Sequence, residues 1–138
     1  MTRLISFDID GTLEVGEPPG PITLAMVRRA RELGYIVGSC SDRPVGLQRA
    51  MWERLGIAID FTVLKHRLGD ARAQFAADEY AHVGTADRDD HYSEIAGFTF
   101  LPVQTTTAAP WMFDAQGAPL PPNLDALSST ERARIERA

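Results

Sequence analysis

Two aspartates one residue apart, Asp8 and Asp10, stand at the end of the run Arg3-Leu4-Ile5-Ser6-Phe7 and lead straight into Gly11-Thr12-Leu13. Alternate side chains of a strand share a face, so both carboxylates lie together if extension persists to residue 10; a turn set by Gly11 can instead swing Asp10 over Asp8. Two acids held close repel one another unless a cation or a proton intervenes, the condition that a metal site exploits. A carboxylate is a covalent nucleophile toward an electrophile held in line, and a neighbouring acid can shuttle the proton. The chemistry to expect is metal-assisted phosphoryl transfer, and Mg²⁺ suits it as a hard cation that bridges carboxylate to phosphate.

The remaining chain supplies elements to hold such a site. Residues 3–7 read as a buried strand, and 23–33 as a helix with Met26, Val27, Ala30 and Leu33 on one face, ended by Gly34. A strand at 35–40 precedes a helix at 45–55 with Leu47, Met51 and Leu55 inward and Gly56 at its end. A third strand lies within 57–64, Asp70 is placed to cap a helix through Ala77, and a fourth strand covers 80–83. A short helix at 90–96 and a fifth strand at 98–101 complete the alternation. This order predicts right-handed crossovers and a Rossmann-like three-layer α/β sandwich around a mainly parallel five-stranded sheet. In such sheets ligands sit at the carboxyl ends of the strands, where Asp8, Ser41, Lys65 and the loop 85–90 all fall. The core domain is expected over 1–104. Residues 105–138 form a C-terminal extension, with Trp111-Met112-Phe113 docking it on the domain and a weak helix from about Asp125, capped by Ser128 or Thr130.

A chain of 138 residues fits one domain with a single core. No apolar run approaches the roughly 20 residues of a membrane span, and no signal peptide is apparent. Cys40 is the only cysteine, which excludes an internal disulfide or a cysteine-built zinc site and fits a reducing cytoplasm; it reads as a buried strand residue without a catalytic part. The net charge of -5 and the dispersal of the basic residues do not favour nucleic-acid binding.

The stretch Phe7-Asp8-Ile9-Asp10-Gly11-Thr12 resembles the first signature of the haloacid dehalogenase (HAD) superfamily, apolar residues followed by Asp-x-Asp-Gly-Thr. The resemblance, which covers about residues 3–101, implies that Asp8 attacks phosphorus to form an aspartyl-phosphate and that Asp10 protonates the leaving group and then activates water. Ser41, in Ser41-Asp42-Arg43-Pro44, matches the second signature, a hydroxyl at a strand end that binds phosphate oxygens with nearby backbone N–H groups. Its alternatives are a cap for the following helix, or Ser39 in its place; Arg43 contacts either substrate or a surface carboxylate. Lys65 matches the third signature, a basic residue that neutralises the nucleophile and the transferring group, with Arg67 as the slipped alternative and His66 between them.

The fourth signature departs from the superfamily pattern, which is Gly-Asp with a second acid four residues beyond the first, both serving the metal. In His82-Val83-Gly84-Thr85-Ala86-Asp87-Arg88-Asp89 the first acid is Thr85 and the second is Asp89. The resemblance thus gives Asp8, Asp10 and Asp89 as metal ligands. Loss of one carboxylate weakens Mg²⁺ binding unless Asp87 or Asp90 compensates or a ligand acts through water.

Superfamily members often carry a cap domain over the site. Only a helix and the flap at residues 14–21 fit between Asp10 and Ser41, and one helix and one strand between Ser41 and Lys65. The resemblance is therefore to the capless type, in which a large substrate or a neighbouring copy in a homo-oligomer excludes water; the proline-rich flap is suited to cover the site rigidly. The expected function is a Mg²⁺-dependent phosphomonoester hydrolase whose phosphorylated substrate the sequence does not name. The alternatives are a catalytically weakened relative that binds ligand or protein, and a phosphotransferase or phosphomutase.

Overall fold

Five apolar segments form strands in the computed structural model, which describes residues 1–86 and 88–122. They are β1 (Arg3–Phe7), β2 (Ile36–Ser41), β3 (Phe61–Leu64), β4 (Glu79–Gly84) and β5 (Thr99–Pro102). Their order across the sheet is β3-β2-β1-β4-β5, and every neighbouring pair is parallel. Four helices connect them: α1 (Leu24–Glu32), α2 (Val45–Leu55), α3 (Leu68–Gln74) and α4 (Asp89–Ala96). The chain steps from β1 to β2 and β3 on one side, then returns to place β4 and β5 on the other. The carboxyl ends of β1 and β4 therefore flank the crevice where strand order reverses, the place where α/β sheets accommodate ligands.

Apolar residues cover both faces of the sheet. Ile5, Phe7, Val37 and Val83 join Leu24, Val27 and Ala30 of α1 and Met51, Trp52 and Leu55 of α2. Leu4, Cys40 and Phe61 join Leu68 and Ala71 of α3 and Phe98 on the opposite side. Leu4 and Ile5, adjacent in β1, thus serve different faces, as the two-residue period of a strand requires. The architecture is an all-parallel five-stranded α/β sheet compatible with a Rossmann-like sandwich. Among the described residues no helix is long and apolar enough to cross a membrane.

Several boundaries differ from those expected. Thr23 is the N-cap of α1, its hydroxyl accepting from the Met26 amide, and Leu33 lies beyond the helix and is exposed. α2 is rotated relative to expectation: Leu47 is 61% exposed, and Gln48 takes the inward place beside Met51, Trp52 and Leu55. The stripe 48-51-52-55 follows helical spacing as well as 47-51-55 does, and polar partners below Gln48 decide between them. Asp70 does not cap α3. A 3₁₀ turn (Lys65–Arg67) leads into a helix that starts at Leu68, and Asp70 in its first turn pairs with Arg67. β2 extends to Ser41, and α4 begins at Asp89 rather than Asp90.

Trp111 and Met112 are buried in a 3₁₀ turn (Pro110–Met112), and Trp111 meets Phe7 edge-to-face with centroids 5.3 Å apart. Arg29 of α1 donates to the Phe113 carbonyl, and the Thr23 hydroxyl to that of Leu120. The segment after β5 is thereby docked on the domain through residue 120. The helix expected from Asp125, with Ser128 or Thr130 as its cap, lies outside the described residues, as does Asp87.

Candidate active site

Asp8 directly follows β1, with its amide bonded to the Val83 carbonyl of β4, and it is 2% exposed. The strand ends at Phe7, and Asp10 already lies in a turn in which Gly11 adopts a left-handed φ of +78°. Asp10 turns to Arg43, whose Nη2 lies 2.6 Å from one carboxylate oxygen and whose Nε lies 3.2 Å from the other. The Glu17 amide donates to the same carboxylate at 2.8 Å. Burial opposes charge on Asp10, but the Arg43 bonds and the Glu17 amide outweigh it and hold the carboxyl below the usual range. Arg43 therefore meets a carboxylate of the site instead of one on the open surface.

The flap folds back against the turn that carries Asp10. Gly11 donates to the Pro18 carbonyl and Gly20 to that of Leu13, while Leu13 and Ile22 form a bridge. Leu13, Val15 and Ile22 are buried in the core, and the Glu14 carboxylate accepts from the Leu24 amide at the start of α1. Val15 and Glu17 of the flap line the open groove at Asp10.

Lys65, the first residue after β3, brings the charged groups together. Its ammonium lies 3.7 Å from Asp8, 3.5 Å from Asp89 and 3.8 Å from Asp42. Burial works against the lysine cation, yet the charges of Asp8, Asp89 and Asp42 prevail and raise its pKa. Arg67 is engaged with Asp70 at 2.6 Å on the surface, which leaves the inward place to Lys65.

Asp89 is fully buried at the first turn of α4. Gly84 makes room for it, since a Cβ there would stand 2.5 Å from the Asp89 carboxylate. One carboxylate oxygen pairs with His82 Nε2 at 2.9 Å; the other accepts from the Thr85 amide at 2.9 Å and hydroxyl at 3.3 Å. Burial again disfavours the charge, but His82, Lys65 and the Thr85 amide more than offset it, and the helix N-terminus favours an anion as well. Asp8 has the opposite balance: burial first, then the charge of Asp89, push its carboxyl up to about 7 despite Lys65. Lys65 stands at ion-pair distance from Asp8 rather than in close hydrogen bonding, so its help to that carboxylate is limited.

Ser41 ends β2, buried, and its hydroxyl accepts from the Arg43 amide at 3.1 Å. It does not cap α2, whose N-cap is Pro44. Ser39 is committed to the core, donating to Gln48 and accepting from the Trp52 indole. Gln48 also donates to the Arg43 carbonyl at 2.8 Å and the Val63 carbonyl at 3.0 Å, so one buried amide ties the Ser41 loop to the strand that delivers Lys65. Gln48→Leu orphans both carbonyls and the Ser39 hydroxyl. A loss of about 2–4 kcal/mol in denaturant unfolding is expected, and an unchanged midpoint would refute the staple. Cys40 is inert: burial, joined by the charges of Asp89 and Asp8, pushes its thiol far up.

Sequence reasoning missed His82 and Gln48. The signal for His82 was a polar ring inside the strand Ala81-His82-Val83, one residue before the turn glycine; for Gln48 it was helical spacing to Met51, Trp52 and Leu55.

No known family model and no curated protein matches the chain.

Among the described residues no group of three or more His, Cys, Asp or Glu side chains forms a ready metal cage. Asp8 and Asp89 nevertheless fit a small hard cation, because the repulsion that raises the Asp8 pKa is relieved by added positive charge. Mg²⁺ commonly binds through one or two carboxylates together with water and substrate phosphate. The Asp10 carboxylate is committed to Arg43 and Glu17, the Thr85 hydroxyl to Asp89, and Asp90 is exposed, with a carboxylate oxygen bonded to the His91 amide.

Proposed function

We propose that this protein is a phosphomonoester hydrolase of the HAD type, acting through an aspartyl-phosphate on Asp8. The observation that carries the reading is the buried Asp8-Lys65-Asp89 cluster, built from the ends of β1 and β3 and the first turn of α4 at the crevice of the sheet. Bound Mg²⁺, held by Asp8 and Asp89, would supply charge neutralisation for the phosphoryl group. An Asp8 oxygen attacks phosphorus, the ester P–O bond breaks, and the leaving oxygen takes a proton from Asp10. Water then attacks the aspartyl-phosphate, Asp10 takes its proton, and inorganic phosphate leaves. Lys65 offsets charge on Asp8 and the phosphoryl oxygens, and Ser41 with the amides of its loop anchors them.

The Arg43 pair keeps Asp10 ionised, which suits the water-activating half of this cycle. Donation in the first half calls for Arg43 to turn from Asp10 to the substrate's phosphate. An open groove of about 700 Å³ beside Asp10, lined by Arg43, Leu47, Met51 and Arg54, offers space for the leaving group. No folded unit is inserted between Asp10 and Ser41 or between Ser41 and Lys65, so water exclusion falls to the substrate or a second copy of the chain.

The test is Mg²⁺-dependent phosphate release from a broad panel of phosphate esters, with Asp8→Asn as control. Release by the native chain that the variant loses supports the reading. Silence across the panel from folded protein at high Mg²⁺ favours the second reading, a weakened relative that binds ligand, for which Thr85 and the Asp10-Arg43 pair are the motivating observations.

The geometry also fixes what an acid at position 85 would do. Thr85→Asp replaces a hydroxyl that donates to Asp89 by a carboxylate that repels it. Without Mg²⁺ the variant is expected to lose roughly 1–3 kcal/mol, and Mg²⁺ should raise its melting temperature more than that of the native chain. Identical melting with and without the cation in both proteins would contradict this.

A further inference from the structure

Ser6 and His82 face each other across β1 and β4, in register and fully buried. The Ser6 hydroxyl lies 2.9 Å from His82 Nδ1, and His82 Nε2 lies 2.9 Å from an oxygen of Asp89. A polar pair in the middle of a buried parallel sheet is costly unless its hydrogen bonds are complete. Here a single chain of them runs out of the sheet and ends on the carboxylate beside Lys65. Asp89 as a carboxylate has no proton to give, so His82 must donate through Nε2. Ser6 serves either state of the ring, donating to a neutral Nδ1 or accepting from a protonated one.

We infer that His82, held by Ser6, is a positioning residue that fixes the Asp89 carboxylate toward Asp8 and Lys65 for cation binding. The need for it follows from the rest of the site. Asp89 approaches Gly84 with no side chain to confine it there, and Thr85 restrains only the second carboxylate oxygen. Without His82 the first oxygen keeps only the longer ion pair to Lys65 at 3.5 Å, which constrains its direction less than a 2.9 Å hydrogen bond does, and the carboxylate is less firmly held toward Asp8. Thr85 and His82 thus hydrogen-bond one oxygen each, and the Lys65 ammonium stands 3.5 Å from the oxygen that His82 holds. The inference rests on the proposed Mg²⁺-dependent reading for its consequence, but its geometric content stands apart from activity.

The experiment pairs Mg²⁺ titration calorimetry with ¹⁵N NMR of the histidine ring, on the full chain and on the variants His82→Leu, His82→Gln and Ser6→Ala. Glutamine can present its amide near the place of Nε2, whereas leucine presents nothing. Mg²⁺ affinity is expected to fall roughly 10- to 100-fold in His82→Leu and to be largely recovered in His82→Gln. The native spectrum should show a slowly exchanging proton on Nε2 that shifts in Asp89→Asn, and Ser6→Ala should move the Nδ1 resonance. Native affinity in a folded His82→Leu, or equal losses in the leucine and glutamine variants, would overturn the inference in favour of simple packing. Should the leucine variant not fold, His82→Gln and Ser6→Ala decide: near-native affinity in the former with a displaced ring resonance in the latter upholds it, and a loss of affinity of roughly 10-fold or more in the former or an unmoved ring resonance in the latter overturns it. Absence of Mg²⁺ binding by the native chain would count against the phosphatase reading, leaving the Nε2 proton and its response to Asp89→Asn to decide the positioning role.

Discussion

Lys65→Met is expected to destabilise the fold by about 3–5 kcal/mol, the usual consequence of removing one partner from a buried charge cluster, and to abolish phosphate release. The ammonium is the cation that the structure places between Asp8 and Asp89, at 3.7 and 3.5 Å. Methionine keeps the stem's packing and removes only the charge, so the loss reports electrostatics rather than a cavity. Asp89 retains His82 and Thr85, whereas Asp8 already titrates near 7 and will take a proton. Urea unfolding at pH 8 and pH 5 separates the two effects. The deficit should be larger at pH 8, where Asp8 is ionised in the native chain, and smaller at pH 5, where it is protonated with or without the lysine. A deficit independent of pH would mean that Lys65 stabilises through its stem and not through the Asp8 charge. Excess Mg²⁺ should recover part of the stability and none of the activity, since the attacking carboxylate and the phosphoryl oxygens still lack the fixed cation.

The parts of this site that sequence made legible are those set by strand ends. Asp8 and Lys65 each directly follow an apolar run and Asp89 opens the helix after another, and a parallel sheet gathers such ends by topology alone. The parts that stayed hidden depend on side-chain choices no local pattern records. The Asp10 carboxylate takes two hydrogen bonds from Arg43, thirty-three residues away, a partner that no local pattern announces. Leu47 carries the hydropathy of a core residue, yet the carbonyls of Arg43 and Val63 beneath α2 require donors, and Gln48 supplies them. His82 reads as an ordinary strand residue until Ser6 and Asp89 are seen at its two nitrogens. Tertiary hydrogen bonding, rather than propensity, settles each of these. The flap shows the same limit: its prolines and glycines mark a turn, but only the bonds from Gly11 and Gly20 reveal how it is pinned to the segment around Asp10.

Asp8→Asn should abolish turnover while making the metal-free protein more stable at neutral pH. The native Asp8 carboxyl is raised to about 7 by burial and by Asp89, whereas the unfolded chain titrates near 4. Between those values the folded state keeps a proton that the unfolded state has lost, so native stability falls as pH rises through this window and levels off above it. A displacement of that size corresponds to something on the order of 4 kcal/mol. Asparagine cannot ionise, so its stability curve should lack this decline from pH 4 to 7, and the two curves should diverge with increasing pH. Chemical denaturation across that range, without divalent cation, measures the difference directly. Added Mg²⁺ should stabilise the native chain most where Asp8 is ionised and leave the asparagine variant nearly unmoved. Parallel curves for the two proteins would mean that Asp8 carries no raised pKa, and with it would go the argument that the Asp8-Asp89 pair is poised for a cation.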